Sequence, residues 1–278
     1  MTAVDAGDLK LLTDLIEERF GITFQGIRQE ILTRRLQPRL SELGLYSPRE
    51  YYEFLRFHPE RDAEFGKLAT MVTNNETYFF RETQQFDLLI NHVLPERRPM
   101  LQGRSLRALS AGCSSGEEPY SLGITLHNSG LSLAGVTWEI DACDLNPDRI
   151  ARAKEAVYDE TSLRACDSET RRRYFTEEKR RFRLKDRYRL GVRFFQTNLL
   201  APTGQLGWAV YDVILCRNLL IYFSESAFES LIGLFARSLV PGGYLFLGHS
   251  ESLIDRTTEF APVVTGGIVI YRKVSPQR

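Results

Sequence analysis

Ser105-Leu-Arg-Ala-Leu-Ser-Ala-Gly-Cys-Ser-Ser-Gly-Glu-Glu-Pro-Tyr-Ser121 is the stretch of sequence that decides the fold. Residues 106–111 form an apolar run that predicts a buried strand, and residues 112–116 form a loop of small side chains. Two acidic residues and a proline then open a helix at Glu117. A strand that leads through such a loop into a helix predicts an α/β sheet with a ligand held against the loop backbone.

Two carboxylates at the mouth of this loop, those of Glu117 and Glu118, narrow the chemistry of the ligand. They would repel a pyrophosphate, whereas they would attract a cation or a hydroxyl-rich group. S-adenosylmethionine carries a sulfonium, an amino group and a ribose, so it meets this requirement better than a nucleoside phosphate does. The loop also lacks the intact GxGxxG pattern of dinucleotide sites, which favours the same cofactor.

The composition is that of an ordinary globular protein. The 278 residues are 43% apolar and 26% charged, with zero net charge, and no apolar run reaches the roughly 20 residues needed to cross a bilayer. The first eight residues lack the blocks of a signal peptide. The four cysteines are widely spaced, and the four histidines are isolated from one another. Reduced cysteines, a cytoplasmic location and no metal are therefore expected.

One stretch departs from this charge balance. Residues 164–193 contain twelve basic and five acidic residues, a net charge of +7. Such a stretch is either a solvated face or a surface for an acidic protein or a nucleic-acid backbone. The second predicted helix carries four arginines beside its apolar stripe, namely Arg28, Arg34, Arg35 and Arg39. They form either a solvated rim or a docking face for acidic helices.

Residues 8–70 predict a small all-helical domain. Apolar residues at helical spacing stop at Gly21 and again at Gly44, and a third helix begins at Ser47-Pro48, a serine cap followed by proline. The domain is placed at residues 1–72. Residues 73–103 are interpreted as a linker that also forms part of a cleft.

Strands and helices alternate in residues 104–278, which predicts a mostly parallel sheet covered on both faces. Residues 157–191 are too long and too charged for a simple crossover. An inserted β-subdomain is therefore placed at about 160–191, with a hairpin through Phe182 to Leu190. The predicted strands are 105–111, 136–143, 192–197, 211–216, 243–248 and 267–272, and the predicted helices are 117–128, 147–156 and 224–239.

Polar side chains follow several of these strands, where the ligands of such sheets bind. Asp144 ends the second strand and is suited to the two hydroxyls of a ribose. Asn198 and Leu199 offer an amide and an apolar surface for an adenine. Arg217 and Asn218 follow a buried strand, although Asn218 is also a candidate helix cap.

Residues 72–82 join the two predicted domains. Their polar residues alternate with aromatic ones, so one side can pack while the other lines a cleft. Taken alone, Arg81 is equally compatible with a surface position and Asn75 with a turn. Tyr222, which follows the fourth predicted strand, is equally compatible with the core.

Four blocks of sequence carry a resemblance to a known family. TNNETYFFRE (73–82), SAGCSSGEEPYS (110–121), LCRNLLIYF (215–223) and GYLFLGHSES (243–252) look like the signature blocks of the CheR family of chemotaxis-receptor methyltransferases. The blocks come in the family's order, and the likeness spans nearly the whole chain. It implies a Rossmann-like S-adenosylmethionine-dependent methyltransferase sheet, an N-terminal all-helical receptor-docking domain and a small inserted β-subdomain.

The resemblance also implies the site. The positions near the transferred methyl group fall on Arg81 and Tyr222, and the choice between Glu117 and Glu118 as a cofactor contact stays open. The implied contacts to S-adenosylmethionine are Asn75, Thr77, Arg81, one of Glu117 and Glu118, Asp144, Asn198, Leu199, Arg217 and Asn218.

The implied reaction is methyl transfer from S-adenosylmethionine to glutamate side chains on the cytoplasmic helices of a bacterial chemoreceptor, for sensory adaptation. S-adenosylhomocysteine is the second product. The implied partner is the helical bundle of the receptor, with no nucleic acid and no membrane insertion. The resemblance also implies a cytoplasmic monomer that is recruited to receptor arrays.

One departure from the family's pattern concerns receptor recognition. Members that tether to a pentapeptide at the receptor's C-terminus have a glycine-containing tract in the inserted subdomain. Residues 173–185 are the corresponding stretch here, and they contain no glycine. This difference predicts a pentapeptide-independent enzyme.

Two other functions stay open at this point. The first is a methyltransferase for RNA or another protein, with the arginine-rich insert as its grip on the substrate. The neutral overall charge and the lack of an Asn/Asp-Pro-Pro-Tyr/Phe tetrad or a catalytic cysteine motif disfavour it. The second is a non-catalytic cofactor-binding signalling module, which the matched cofactor positions disfavour.

Overall fold

The computed structural model describes residues 6–101, 103–131, 135–202, 206–207 and 210–274. The ends of the predicted domains, residues 1–5 and 275–278, lie outside these ranges. Within them, no helix combines the length and the apolarity that a membrane span requires. The N-terminal part consists of the helices α1 (Ala6–Phe20), α2 (Ile27–Leu43), α3 (Pro48–Phe57) and α4 (Arg61–Val72).

The predicted helix ends in this part are confirmed. Gly44 adopts the left-handed φ of 69° that ends α2, and its N–H bonds back to the last turn. The Ser47 side chain accepts the N–H of Glu50 at the start of α3. Helix α4 was not predicted as a separate helix, because apolar spacing alone did not indicate it. Its buried residues Leu68 and Val72 complete the core of the bundle.

A buried carboxylate ties three of these helices together. Glu64 on α4 is 4% exposed and accepts hydrogen bonds from Arg39 on α2 and from the hydroxyl of Tyr51 on α3. Although burial opposes ionisation, these hydrogen bonds hold the pKa of Glu64 below its ordinary value. Arg39 is therefore a structural residue here rather than part of a free basic face.

The segment expected as a linker divides in two. Residues 73–82 are irregular. A helical stretch follows, made of α5 (Thr83–Leu88), a π-turn (Leu89–Val93), α6 (Leu94–Arg97) and a 3₁₀ turn (Arg98–Met100). Phe86, Leu89 and Val93 bury this stretch against one face of the sheet. Residues 83–100 thus belong to the α/β half of the molecule.

Within the described residues, seven strands form the main sheet, in the order β6-β2-β1-β7-β8-β10-β9. The first five run parallel, and β10 lies antiparallel between β8 and β9. Alternate side chains point to opposite faces, so Ala108 packs with residues 83–97 while Leu109 packs with the helix at Glu225–Ser238. The strands are β1 (Leu106–Ala111), β2 (Trp138–Asp144), β6 (Val192–Gln196), β7 (Tyr211–Cys216), β8 (Leu239–Leu247), β9 (Phe260–Thr265) and β10 (Ile268–Lys273).

The predicted Rossmann-like sheet is confirmed, with two differences in its strands. Strand β8 begins four residues before the predicted position, because Leu239 pairs with Tyr211 ahead of a bulge. Strand β9 was not predicted, since half of its six residues are exposed at the sheet edge and its polar and apolar residues do not alternate clearly. The other helices of this half are α7 (Glu117–Asn128), α8 (Pro147–Glu155), α9 (Ser168–Tyr174) and α10 (Glu225–Ser238).

The insert contains a separate three-stranded sheet of order β3-β5-β4. Its strands are β3 (Val157–Tyr158), β4 (Phe175–Glu178) and β5 (Arg181–Leu184). The prediction of a hairpin through Phe182 to Leu190 was wrong: β4 and β5 form the hairpin, and Asp186–Tyr188 is a 3₁₀ turn. Strand β4 begins at the apolar residue Phe175. The residues after it are mostly charged, and none of them is a usual turn residue, so the turn was not predicted.

A short backbone pairing joins the helical half to the sheet half. Ile22 forms an antiparallel bridge with Phe223, and the N–H groups of Thr23 and Ser224 donate across it to the carbonyls of Tyr222 and Gly21. Gly21 has a φ of 72°, and a Cβ there would lie 2.6 Å from that of Ala227. Only glycine allows this close approach.

Asp212 at the start of β7 is the centre of a second buried ion cluster. It is fully buried and accepts hydrogen bonds from the side chains of Arg97 and Arg104 and from the N–H of Arg107. Although burial opposes ionisation, these contacts hold the pKa of Asp212 below its usual value. The cluster fastens the 83–100 helical stretch to the centre of the sheet.

Replacing Asp212→Asn is expected to destabilise the protein by about 3–5 kcal/mol at pH 7, because it leaves Arg97 buried without its charge partner. The folded-state pKa of Asp212 is depressed, so its contribution is present above the unfolded value of about 3.9 and is lost as the pH falls below it. Urea denaturation at pH 7, 5 and 3 measures both effects, because the last pH lies below the unfolded pKa.

The matched control is Asp186→Asn, which removes an exposed ion pair with Arg189 and should leave the unfolding midpoint unchanged. A destabilisation by Asp212→Asn that grew on acidification would contradict this account of Asp212.

Candidate functional site

A cleft opens where the carboxyl ends of β1, β2, β6 and β7 meet, as expected for a parallel sheet. Its empty space is about 990 Å³, part of it open to solvent. The helical half closes one side of it with Phe20, Ile22 and the irregular segment 73–78. The predicted site residues that line this cleft are Asn75, Thr77, Arg81, Glu118, Asp144, Asn198, Leu199, Arg217, Asn218 and Tyr222.

The loop after β1 turns tightly enough to expose its backbone to the cleft. The N–H groups of Gly112 and Cys113 both donate to the carbonyl of Cys143, at 2.9 Å each. Gly112 has a φ of 78°, and a Cβ there would lie 2.9 Å from Leu219. The small side chains in this loop are therefore required by the backbone path as well as by a ligand.

The structure separates the two glutamates of α7. Glu118 reaches the cleft, where one carboxylate oxygen accepts from Ser110 Oγ at 2.6 Å and the other pairs with Arg217 Nε at 2.9 Å. Glu117 is 1% exposed and faces the insert, where it accepts from the hydroxyls of Ser115 and Ser162. Burial raises the pKa of Glu117. Only Glu118 lies in a position to contact a ligand in the cleft.

Arg217 is fixed by two contacts, and one nitrogen of its guanidinium group has no partner in the described part of the chain. Besides its pair with Glu118, its Nη2 donates to the carbonyl of Arg81 at 2.8 Å. Its Nη1 is buried and has no hydrogen-bond partner within the described residues. A buried guanidinium nitrogen without a partner is costly, so it indicates a missing acceptor. The carboxylate of a ligand beside Glu118 would supply that acceptor.

Asp144 lies at the end of β2, as predicted. One of its carboxylate oxygens accepts the N–H of Ser114 and the other accepts the N–H of Asn146, both at 2.8 Å. Burial raises the pKa of Asp144, and the two N–H groups act against that shift. Each oxygen keeps a second lone pair, so the carboxylate can still accept from a pair of ligand hydroxyls.

Asn198 has a structural contact that sequence reasoning missed. Its amide nitrogen donates to the carbonyl of Arg19 at 2.8 Å, and its amide oxygen accepts the N–H of Leu200. The side chain predicted to read an adenine thus also ties the sheet half to the end of α1. Its contact with the cofactor, and that of Leu199 beside it, stay predictions.

The segment 73–82 is held in place by contacts within itself and by contacts from the insert. The Asn75 amide donates to the carbonyl and hydroxyl of Thr73, and Arg81 donates to the carbonyl of Glu76. Arg164 of the insert pairs with Glu76 at 2.9 Å and stacks 3.7 Å from the ring centroid of Tyr78. These contacts place Asn75, Thr77 and Arg81 along one wall of the cleft.

Glu251 supports the site although sequence reasoning did not assign it a role. It accepts the N–H groups of Gly248, Asn218, Leu220 and Ile221, and burial raises its pKa. These contacts hold Asn218 in a left-handed conformation with a φ of 57°. The 3₁₀ turn that follows, Leu220–Tyr222, is capped by Leu219, so Asn218 is not its cap. Glu251 belongs to the fourth sequence block, and that membership was the feature of the sequence from which its role could have been predicted.

Together, the sheet order and this cleft define the class of the protein, an S-adenosylmethionine-dependent methyltransferase. The family described as "CheR methyltransferase, SAM binding domain" matches residues 75–266, and "CheR methyltransferase, all-alpha domain" matches residues 7–73. The chain therefore belongs to the CheR family.

Similar curated proteins are named as methyltransferases of chemotaxis or of biofilm formation. Chemotaxis protein methyltransferase 2 of Vibrio cholerae is 36% identical over 243 residues, which cover 86% of this chain and 83% of that protein. Chemotaxis protein methyltransferase 1 of Pseudomonas aeruginosa is 34% identical, with 98% and 99% covered. The probable biofilm formation methyltransferase WspC of Pseudomonas aeruginosa is also 34% identical, with 94% of this chain and 61% of that protein covered.

The residues present fit S-adenosylmethionine. Arg217 and Glu118 offer a cation and an anion side by side, which suits the carboxylate and the amino group of the methionyl part. Asp144 suits the hydroxyls of the ribose. Among the described residues, no group of three or more histidine, cysteine or acidic side chains comes together as a metal site would require.

Replacing Glu118→Gln is expected to raise the Kd for S-adenosylhomocysteine about tenfold, because it removes the charge that faces the amino group and weakens the hold on Arg217. Replacing Glu117→Gln should change that Kd by less than about threefold and should lower the melting temperature instead. Titration calorimetry and thermal denaturation measure the two quantities. Equal losses of affinity in both variants would contradict the assignment of Glu118 to the cleft.

Proposed function

We propose that this protein transfers a methyl group from S-adenosylmethionine to glutamate side chains on the cytoplasmic helices of a chemoreceptor. Membership of the CheR family and chemotaxis methyltransferase relatives that span most of the chain support this function. A carboxylate acceptor is supported by one observation: the acidic side chains in the cleft are already paired or hydrogen-bonded.

Every acidic side chain among the described cleft residues is already engaged. Glu118 pairs with Arg217, Asp144 accepts two backbone N–H groups, and Glu76 pairs with Arg164. The described cleft residues include no histidine or lysine. None of these groups is placed to remove a proton from an acceptor. A glutamate carboxylate, with a reference pKa of about 4.3, is ionised at neutral pH and needs no general base.

The protein's own residues then bind, align and exclude water. When bound, S-adenosylmethionine supplies a methyl group on a sulfonium, and its transfer forms a C–O bond while the C–S electron pair returns to sulfur. Arg81 and Tyr222 orient the acceptor carboxylate, and Glu118, Arg217 and Asp144 hold the donor. Opposite charges cancel in this reaction, so alignment and exclusion of water matter more than strong stabilisation of the acceptor charge.

Recognition of an acidic receptor surface falls mainly on the insert. Arg35 donates to the carbonyls of Met71 and Thr73, and Arg39 pairs with Glu64, so these two α2 arginines are engaged within the protein. The insert has exposed basic side chains without an ion-pair partner among the described residues, namely Arg172, Arg173, Lys179, Arg180, Arg181 and Arg187.

The tip of the hairpin supports recognition without a receptor pentapeptide. The turn between β4 and β5 consists of Lys179 and Arg180, whose φ values are 47° and 68°. Glycine or asparagine is the usual occupant of such positions. The tip therefore presents two charges on a tight turn in place of a glycine-containing tract.

The test of the acceptor is a transfer assay with methyl-labelled S-adenosylmethionine and cytoplasmic receptor fragments from the same organism. We expect base-labile label on the receptor, as for a glutamyl methyl ester, and none on fragments whose candidate glutamates are replaced by alanine. Tyr222→Phe should lower kcat, and Arg81→Ala should lower kcat as well as cofactor affinity. Full turnover in Tyr222→Phe, with only affinity lost in Arg81→Ala, would show that the two roles are wrong.

The same assay separates the other two functions. Base-stable label on RNA would favour a nucleic-acid methyltransferase that uses the arginine-rich insert as its grip. Binding of S-adenosylmethionine and receptor without any transfer would favour a signalling module.

A binding titration tests how the receptor is recognised. We expect receptor fragments with and without an added C-terminal pentapeptide to bind with the same Kd, and raised salt to weaken both equally. Arg180→Glu should weaken binding about threefold at low salt. Arg98→Glu, an equal charge change outside the insert, is the matched control. Micromolar or tighter binding of the isolated pentapeptide would overturn pentapeptide independence.

A further inference from the structure

Tyr222 is held on three sides by residues from outside the sheet half. Its hydroxyl oxygen accepts a hydrogen bond from Asn74 Nδ2 at 2.6 Å. The guanidinium carbon of Arg28 lies 4.8 Å from the centroid of its ring, and the N–H of Thr23 donates to its carbonyl at 3.0 Å. The placement of the Tyr222 ring in the cleft is therefore set by α2 and by the segments next to α1 and α4.

The contact with Asn74 determines where the phenol proton points. A phenol has one proton to donate and two lone pairs with which to accept. Because Asn74 donates to one lone pair, the proton of Tyr222 is directed elsewhere. Among the described residues no acceptor takes it. Tyr222 and Asn74 both line the cleft, so the proton is available to a group bound there.

We propose that Asn74 is a positioning residue for methyl transfer, which acts by turning the hydroxyl of Tyr222 into a donor toward the acceptor carboxylate. This inference rests on the proposed function, because a carboxylate is the acceptor that such a donor would orient. One hydrogen bond from a neutral phenol fixes an oxygen in line without strongly stabilising its charge. A transfer in which opposite charges cancel requires this combination of precise orientation and weak charge stabilisation.

Arg28 supports the same arrangement from the ring face. It stacks on Tyr222 and on Phe24, 5.4 Å from the second centroid, and it is not among the residues that line the cleft. A cation over the face of an aromatic ring restrains the ring. Arg28 therefore fixes the plane of Tyr222, and Asn74 fixes the direction of its proton.

The test compares four variants in the receptor transfer assay, together with calorimetric binding of S-adenosylhomocysteine. Asn74→Ala should lower kcat about tenfold and leave the Kd for S-adenosylhomocysteine within about threefold. Asn74→Asp should lower kcat further, because a carboxylate accepts the phenol proton and repels the acceptor. Tyr222→Phe should lower kcat at least as much as Asn74→Ala, and the double variant should be no slower than Tyr222→Phe alone.

Asn128→Ala is the matched control. The Asn128 amide donates to the hydroxyl of Tyr174 at 2.8 Å, and neither residue lines the cleft, so this variant should keep the wild-type kcat. It removes the same kind of contact from the same kind of partner.

Several results would overturn the role of Asn74. They are an unchanged kcat in Asn74→Ala, an equal loss when that change is made in the Tyr222→Phe background, and a loss explained entirely by weaker binding of S-adenosylhomocysteine. An Asn74→Asp variant as active as wild type would also contradict it. A wild-type protein that labels no receptor fragment would instead contradict the proposed function and, with it, this role.

Discussion

Backbone hydrogen bonds between residues 21–23 and residues 222–224 join the helical half of the protein to the sheet half, and the cleft depends on this pairing. It places Phe20 and Ile22 over the carboxyl ends of the strands. It also sets the position of Tyr222, whose carbonyl is one of the acceptors. A side chain at Gly21 would push the halves apart, because a Cβ there meets Ala227. The helical half is therefore a wall of the site as well as a candidate docking domain.

Within the cleft, pairing of opposite charges keeps each functional group in one position. Glu118 and Arg217 hold each other, and Asp144 is held by backbone N–H groups. Because these groups are already desolvated and oriented, a ligand need not reorganise them on binding. Among the described cleft residues, the same engagement leaves no acidic group free to act as a base, which supports the proposed carboxylate acceptor.

Local sequence predicted the parts of the fold and site that depend on neighbouring residues. The strand, loop and helix at 106–128 and the carboxylate of Asp144 at a strand end follow from residue order and spacing. The hairpin of the insert was misplaced, because its turn residues are Lys179 and Arg180 rather than residues that mark turns. The 83–100 helical stretch was interpreted as linker, since its apolar side chains show their purpose only against the sheet.

The sequence by itself predicted the class of fold, the cofactor and most of the residues that line the cleft, because these depend on short motifs and their order. The tertiary structure decided which residue of each group faces the cleft. It turned Glu118 inward and Glu117 toward the insert, and it engaged Arg39 inside the helical bundle. It also brought Asn74 and Arg28 onto Tyr222 across about 150 to 190 residues of chain. Such contacts depend on how the two halves pack, which no local pattern encodes.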